Sequence, residues 1–554
     1  MNKLIIKNGL VFDPINGIEG ENKDILIENG KIVENFSNQN DIKTIDASNK
    51  TVIPAGIDMH SHFLSQQASW IRLLGNGREE FKSFWNNWTL KSIVEQYIKQ
   101  GYTLVIDANV FPMNANQAVF NFKHLSVLDA GFLLNISNLW TLELEFQRGM
   151  IEEATIFLSD LLERTKAFGF KVYNPFECEN WNYRKLRNSV EEKGRLYNFA
   201  PIEIYKRVTE YAEYLGLPHS THAHIEGYES ELGKDNLLKV LNEINSMDIN
   251  SLRNNNVEMS RSQIFHVAHA ASYAIDGNNI DLIDFYNKNK NFDLDLGFLS
   301  FDPINPLLTS DRRLIISLME LNNEEKIFRN ATEFEGDSFA TFRKFSKENK
   351  KNCILWANAI DLALNIEDKW QVQLTFNYPN YSNISDLPKI AGWLLSNSVR
   401  QSFINEIPAE IHSDLKINQE EKTLTFNEFI ILSRASPAKS LGIDKIKGNL
   451  GPGADGDINI LDIDFNKIDP EKDHEAVEKA LSNIEYVIKG GKIVKQKDKI
   501  NLEHKGKLFW TSGNIDSDKK ESIMRKKREF YNKFYSIFYD TLNVSIENDR
   551  LRKV

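Results

Sequence analysis

Apolar and polar residues alternate at both ends of this chain. Near the start, Leu4-Ile5-Ile6-Lys7-Asn8-Gly9 is followed by Asp24-Ile25-Leu26-Ile27-Glu28-Asn29-Gly30-Lys31-Ile32-Val33. Near the other end, Gly456-Asp457-Ile458-Asn459-Ile460-Leu461 is followed by Tyr486-Val487-Ile488-Lys489-Gly490-Gly491-Lys492-Ile493-Val494. A period of two is that of a half-buried strand, and Asn-Gly, Gly-Gly and Gly-Lys suit hairpin turns. Short strands at both ends of a long middle predict one split β-sandwich domain, built from residues 1–50 and 441–500.

The middle, residues 51–440, alternates strand-like and helix-like runs. Residues 103–107, 170–173, 264–267 and 373–376 are apolar and strand-like; residues 204–215 and 385–399 are helical. Strand–helix alternation over this length predicts an α/β fold, a TIM-like (β/α)8 barrel. Residues 501–554 change character. The charged run 518–528 precedes Phe530-Tyr531-Asn532-Lys533-Phe534-Tyr535. A C-terminal helical tail packed on the barrel is expected there, with a partner-docking segment as the other reading.

Composition narrows the class. A length of 554 residues, 41% hydrophobic and 26% charged, suffices for a large barrel plus a satellite domain. No window approaches ~18 consecutive apolar residues, so no membrane span is expected. The first residues enter directly into a strand-like run, so no signal peptide is expected either. Only Cys178 and Cys353 occur, which excludes a disulfide framework and a cysteine-ligated cluster. The expected compartment is the cytoplasm. A net charge of −11 argues against nucleic acid as a partner.

Histidine spacing carries the chemistry. In Val52-Ile53-Pro54-Ala55-Gly56-Ile57-Asp58-Met59-His60-Ser61-His62, a short apolar strand delivers two histidines two residues apart. Residues i and i+2 of a strand share a face, so both imidazoles would address one site. Neutral imidazole binds zinc and similar divalent ions well; a structural histidine pair is the plainer alternative. His222/His224 and His266/His269 are also closely spaced, so six of the eleven histidines fall in three pairs. That clustering favours a site over satisfied core residues. Lys171 lies in an apolar strand-like run, where a lysine is costly unless it serves a purpose or snorkels to the barrel mouth.

These segments resemble the amidohydrolase superfamily. The longer resemblance is to the A subunits of formylmethanofuran dehydrogenase and of the bacterial formyltransferase/hydrolase complex. It rests on residues 54–62, on Gly169-Phe170-Lys171-Val172-Tyr173-Asn174-Pro175 with Trp181, and on Leu217-Pro218-His219-Ser220-Thr221-His222-Ala223-His224. It continues through Phe265-His266-Val267-Ala268-His269, residues 356–364, Leu374-Thr375-Phe376-Asn377-Tyr378-Pro379-Asn380, residues 435–439 and residues 450–457. The order and spacing of the blocks are more specific than any one of them.

The resemblance implies a metal-dependent hydrolase barrel holding one or two divalent ions, zinc foremost. His60, His62, His222 and His266 would be ligands, and a carbamylated Lys171 would bridge the metals. It implies Asn174 and Trp181 at the carrier, and His224 and His269 beside the reacting group. The substrate implied is a formamide, the N-formyl group of a methanofuran-type one-carbon carrier, hydrolysed or formed within a complex of several subunits. Within the same class, a dihydropyrimidinase- or hydantoinase-like cyclic-amide hydrolase shares the dyad and the lysine.

One position departs from the family. Its eighth strand ends in Thr-Asp-His-Pro-Asn, whose aspartate ligates metal and moves protons. Here Asn377 and Tyr378 stand in that place, and an amide cannot accept a proton as a carboxylate does. Three readings follow: a catalytically weakened scaffold subunit; an enzyme using another base, such as His224 or His269; or another acid entering the site, such as Asp302 or Asp311.

Overall fold

The computed structural model describes residues 3–65, 68–69, 89–176, 179, 187–195, 198–253, 261–301, 304–322, 328–332, 336–513, 515 and 517–554. Its centre is a ring of eight parallel strands: β1 (Gly56–Ser61), β2 (Tyr102–Val110), β3 (Asp129–Asn135), β4 (Gly169–Tyr173), β5 (Thr221–His224), β6 (Phe265–Val267), β7 (Phe292–Asp295) and β8 (Val372–Gln373). Each pairs in parallel with the next. A parallel bridge between Ser61 and Tyr378 joins the first to the segment after the eighth. Buried apolar strands with helices such as Ile151–Thr165 and Pro201–Tyr214 outside them are the layers of a (β/α)8 barrel.

The two chain ends meet in a second sheet of nine strands. Thr51–Pro54 is its seam, antiparallel to Ile458–Leu461 on one side and parallel to Lys3–Asp13 on the other. The run expected to be one strand from residue 52 to the histidines is therefore two. Thr51–Pro54 belongs to the split domain, and the chain turns at Ala55 into β1. A buried ion cluster ties this domain to the barrel. Lys447 Nζ lies 2.8 Å from Asp129 Oδ2 and 2.5 Å from Asp457 Oδ2, and Lys489 Nζ lies 2.5 Å from Asp129 Oδ2.

Other details differ from the sequence expectation. The helix expected over 385–399 is two, Leu387–Leu395 and Asn397–Ile404. Ser396 is extended, and its side chain accepts the Val399 N–H, which starts the second helix. β8 is shorter than the expected 373–376, because Leu374 N–H donates to Leu432 O. The tail is not only helical. Besides helix Lys520–Phe534, strands Leu508–Trp510 and Leu551–Lys553 pair with each other, and the first extends the barrel sheet beside Ala130. Between β7 and β8, strands Ile304–Thr309, Phe328–Thr332 and Gly336–Lys344 form an antiparallel sheet. No helix among the described residues is long and apolar enough to cross a membrane.

Candidate metal centre

The C-terminal ends of the barrel strands gather His60 and His62, Asp107, Lys171, His222 and His224, His266, Asp295 and Asn377. Successive parallel strands lie in register here: His222 pairs with Lys171 and with His266, and His266 with Asp293. His60, Lys171, His222, His224, His266, His269, Asp295 and Asn377 are all 3% exposed or less, so each charge among them must be compensated locally.

Hydrogen bonds fix which nitrogens are free. His219 Nδ1 lies 2.8 Å from the Ser440 carbonyl, which can only accept, so Nδ1 carries the proton. His219 Nε2 then accepts from His222 Nδ1 at 3.2 Å, leaving His222 Nε2 as a bare lone pair. His266 Nδ1 donates to Asp293 Oδ1 at 3.0 Å, which turns His266 Nε2 toward Asp295 Oδ2, 3.1 Å away. His60 Nδ1 lies 2.8 Å from the same Asp295 oxygen and 3.3 Å from His222 Nε2. On its other edge, His60 Nε2 lies 3.2 Å from His62 Nε2.

Electrostatics follow from this crowding. Burial pushes His60 down to about 3, with Asp295 opposing. Burial, then Lys171 and neighbouring histidines, hold His222 well below its ordinary value. Burial works against a charge on His266, but Asp293 and Asp295 lift it to about 9. Burial lowers Lys171 to about 7, only partly opposed by Asp295 and Asp107. Such a lysine spends much of its time as a neutral amine at neutral pH. Lone pairs and a carboxylate facing one another within His60, His222 and Asp295 call for a cation between them, and this donor set suits zinc. The residues present therefore fit a divalent metal.

Above these groups is a cavity lined also by Ser65, Asn109, Tyr173, Tyr228, Leu307, Thr309 and Tyr381. Its roof is Ile304–Thr309, anchored by Leu308 N–H to Asn380 Oδ1 at 2.7 Å and by Tyr173 and Tyr228 hydroxyls, each 2.9 Å from Thr309 Oγ1. His224 and His269 face this cavity as a pair, His224 Nδ1 2.7 Å from His269 Nε2. His269 takes a left-handed backbone (φ 35°), with its N–H on Asp295 Oδ1.

Of the residues singled out from the sequence, His60, His62, Lys171, His224, His269 and Asn377 line the cavity, with His222 and His266 beneath it. Asn174 is buried, and neither of its side-chain polar atoms has a hydrogen-bond partner; it stands outside the cavity lining. Trp181 and Asp302 lie outside the described residues. Asp311 is turned to the first turn of helix Arg312–Asn322, accepting from Leu314 N–H at 2.9 Å. The acid that does enter the cluster is Asp295, which sequence reasoning missed. The available signal was Phe292-Asp293-Leu294-Asp295, two acids one strand period apart. His219, which orients His222, was missed likewise.

A family model described as the amidohydrolase family matches residues 356–495. Protein FwdA of Methanocaldococcus jannaschii is 28% identical over 98% of this chain and 97% of its own length. The A subunit of the formyltransferase/hydrolase complex Fhc of Methylorubrum extorquens is 24% identical over 95% and 93%. A crystal structure of the complex FhcABCD from Methylorubrum extorquens with methylofuran contains a chain of the same fold. That chain is 21% identical, covers 100% of this chain and 99% of itself, and superposes with a TM-score of 0.86. With the strand-end histidines in place, this chain belongs to the amidohydrolase superfamily, in the family of formylmethanofuran dehydrogenase A subunits and their formyltransferase/hydrolase counterparts.

Proposed function

We propose that this chain is the A subunit of a multi-subunit one-carbon complex and makes or breaks the N-formyl amide of a methanofuran-type carrier. The observation that carries the reading is the buried histidine cluster with Lys171 at the strand ends, in a chain matched end to end by two formyl-carrier-type subunits. The cyclic-amide alternative has no full-length counterpart among these relatives.

His60, His62, His222 and His266 would hold divalent metal, zinc by donor type, with Lys171 carbamylated between ions. Bound metal would supply Lewis-acid polarisation of the formyl group and an activated water at neutral pH. A lysine lowered to about 7 suits carbamylation, since the reacting form is the neutral amine. His224 Nε2 is buried without a hydrogen-bond partner, and His224 is a cavity-lining residue. If His269 keeps its Nδ1 proton on Ser272 Oγ, 2.7 Å away, then His224 donates through Nδ1 and offers Nε2 to the substrate. Leu307 and the tyrosines give apolar faces suited to a furan ring.

A second reading, a catalytically weakened scaffold subunit, rests on Asn377. Its Oδ1 accepts from Asn380 Nδ2 at 3.2 Å, and it has no acidic proton to trade. Formate release from N-formyl carrier by the metal-loaded complex separates the readings. Release abolished by disabling this subunit's histidines supports the enzyme; release indifferent to them supports the scaffold.

A further inference from the structure

We propose that the anionic ligand of the metal centre is Asp295, delivered by β7 in place of the eighth-strand carboxylate that Asn377 cannot supply. This rests only on the metal-binding part of the reading above. Asp295 is fully buried, and its Oδ1 is fixed by the His269 N–H at 2.9 Å and the Thr375 hydroxyl at 2.6 Å. Oδ2 is thereby aimed at three imidazoles, 2.8 Å from His60 Nδ1, 3.1 Å from His266 Nε2 and 3.8 Å from His222 Nε2. Ligand atoms around a tetrahedral zinc with ~2.0–2.1 Å bonds stand roughly 3.3 Å apart. The observed separations, with 3.3 Å between His60 Nδ1 and His222 Nε2, scatter about that value.

Two rivals fit less well. A carboxylate that only orients His60 from behind would meet one ring N–H. This one also meets two nitrogens whose opposite edges are committed to His219 and Asp293. A proton shared by His266 and Asp295 would leave the bare His222 Nε2 facing an anion. Charge points the same way, because a dication among neutral imidazoles in a fully buried site needs a counter-charge. Asn377 offers none.

The test is metal retention. Zinc-loaded wild type, Asp295→Asn and Asn377→Ala are dialysed against chelators of graded strength, with zinc counted by elemental analysis and folding followed by circular dichroism. Asp295→Asn should bind zinc more than ~100-fold more weakly, beyond the ~10–100-fold cost of losing an orienting partner, while Asn377→Ala keeps its metal. Equal retention in Asp295→Asn and wild type would overturn the proposal. Should Asp295→Asn not fold, zinc-edge anomalous diffraction from wild-type crystals decides. A peak at bonding distance from Asp295 Oδ2 is expected; a peak on the histidines alone, or none, would overturn it. Neither readout depends on formyl-carrier turnover, so failure of that activity leaves the result standing.

Discussion

The main-chain N–H of His62 donates to the Tyr378 carbonyl at 2.6 Å, binding the end of the first barrel strand to the segment that follows the eighth. This bond holds the family's two signature positions, the dyad and Asn377, side by side. Because it is main chain, any residue at position 62 can make it.

Replacing both dyad imidazoles should therefore leave the barrel closed. The double variant His60→Ala/His62→Ala is expected to lose bound metal and melt at lower temperature. An ion at 100-fold excess over its Kd stabilises by about 2.7 kcal/mol. Elemental analysis with calorimetry checks this; unchanged zinc content would count against the ligand assignment.

His219 should matter to metal without touching it. Its hydrogen bond to Ser440 O fixes the tautomer that leaves His222 Nε2 bare. His219→Ala is expected to weaken zinc by ~10–100-fold, read by competition with a chromophoric chelator. Wild-type affinity in the variant would show that His222 needs no such orientation.

Gly297 is expected to tolerate no side chain. It has φ +64°, and a Cβ there would lie 2.5 Å from the Cβ of His269. Gly297→Ala must push His269 off Asp295 or distort the loop, at a cost of ~1–3 kcal/mol. Urea denaturation reads the cost; a variant as stable as wild type would contradict it.

The ion cluster between the domains should govern acid stability. Burial alone would raise the carboxyls of Asp129, Asp455 and Asp457, yet Lys447, with Lys489 and Arg552, holds all three below the ordinary carboxylate range. Groups with depressed folded values stabilise fully above the unfolded value of 3.8, and that stability is lost as pH falls below it. Lys447→Met should cost ~3–5 kcal/mol at pH 7 by stranding buried carboxylates and flatten the loss of stability below pH 4. Urea midpoints across pH that match wild type would refute this.

Much of this architecture was legible in the sequence, because its signals are periodic. The alternating runs near residues 4–33 and 456–494 announce strands, and the paired histidines announce strand ends. What escaped depends on tertiary contact. Asp295 lies 235 residues from the His60 it meets, and only barrel closure brings them together. His219 reads as a loop residue until Ser440 is seen beside it. The break at Ser396 and the pairing of Leu508–Trp510 with the barrel sheet are likewise decided by packing rather than by local pattern.

Positioned acid–base catalysis is worth ~100- to 10,000-fold in rate, so the amide at position 377 should leave turnover low. The most direct measurement is formate release from an N-formyl methanofuran-type carrier by matched zinc-loaded wild type, His60→Ala/His62→Ala, Asn377→Asp and Asn377→Asp/Tyr378→His proteins. The expected result is slow release by wild type, none by the double-histidine variant, and release at least ~10-fold faster once the carboxylate is restored. Brisk wild-type release that survives loss of both histidines, or that falls in Asn377→Asp, would contradict the assignment of chemistry to this centre.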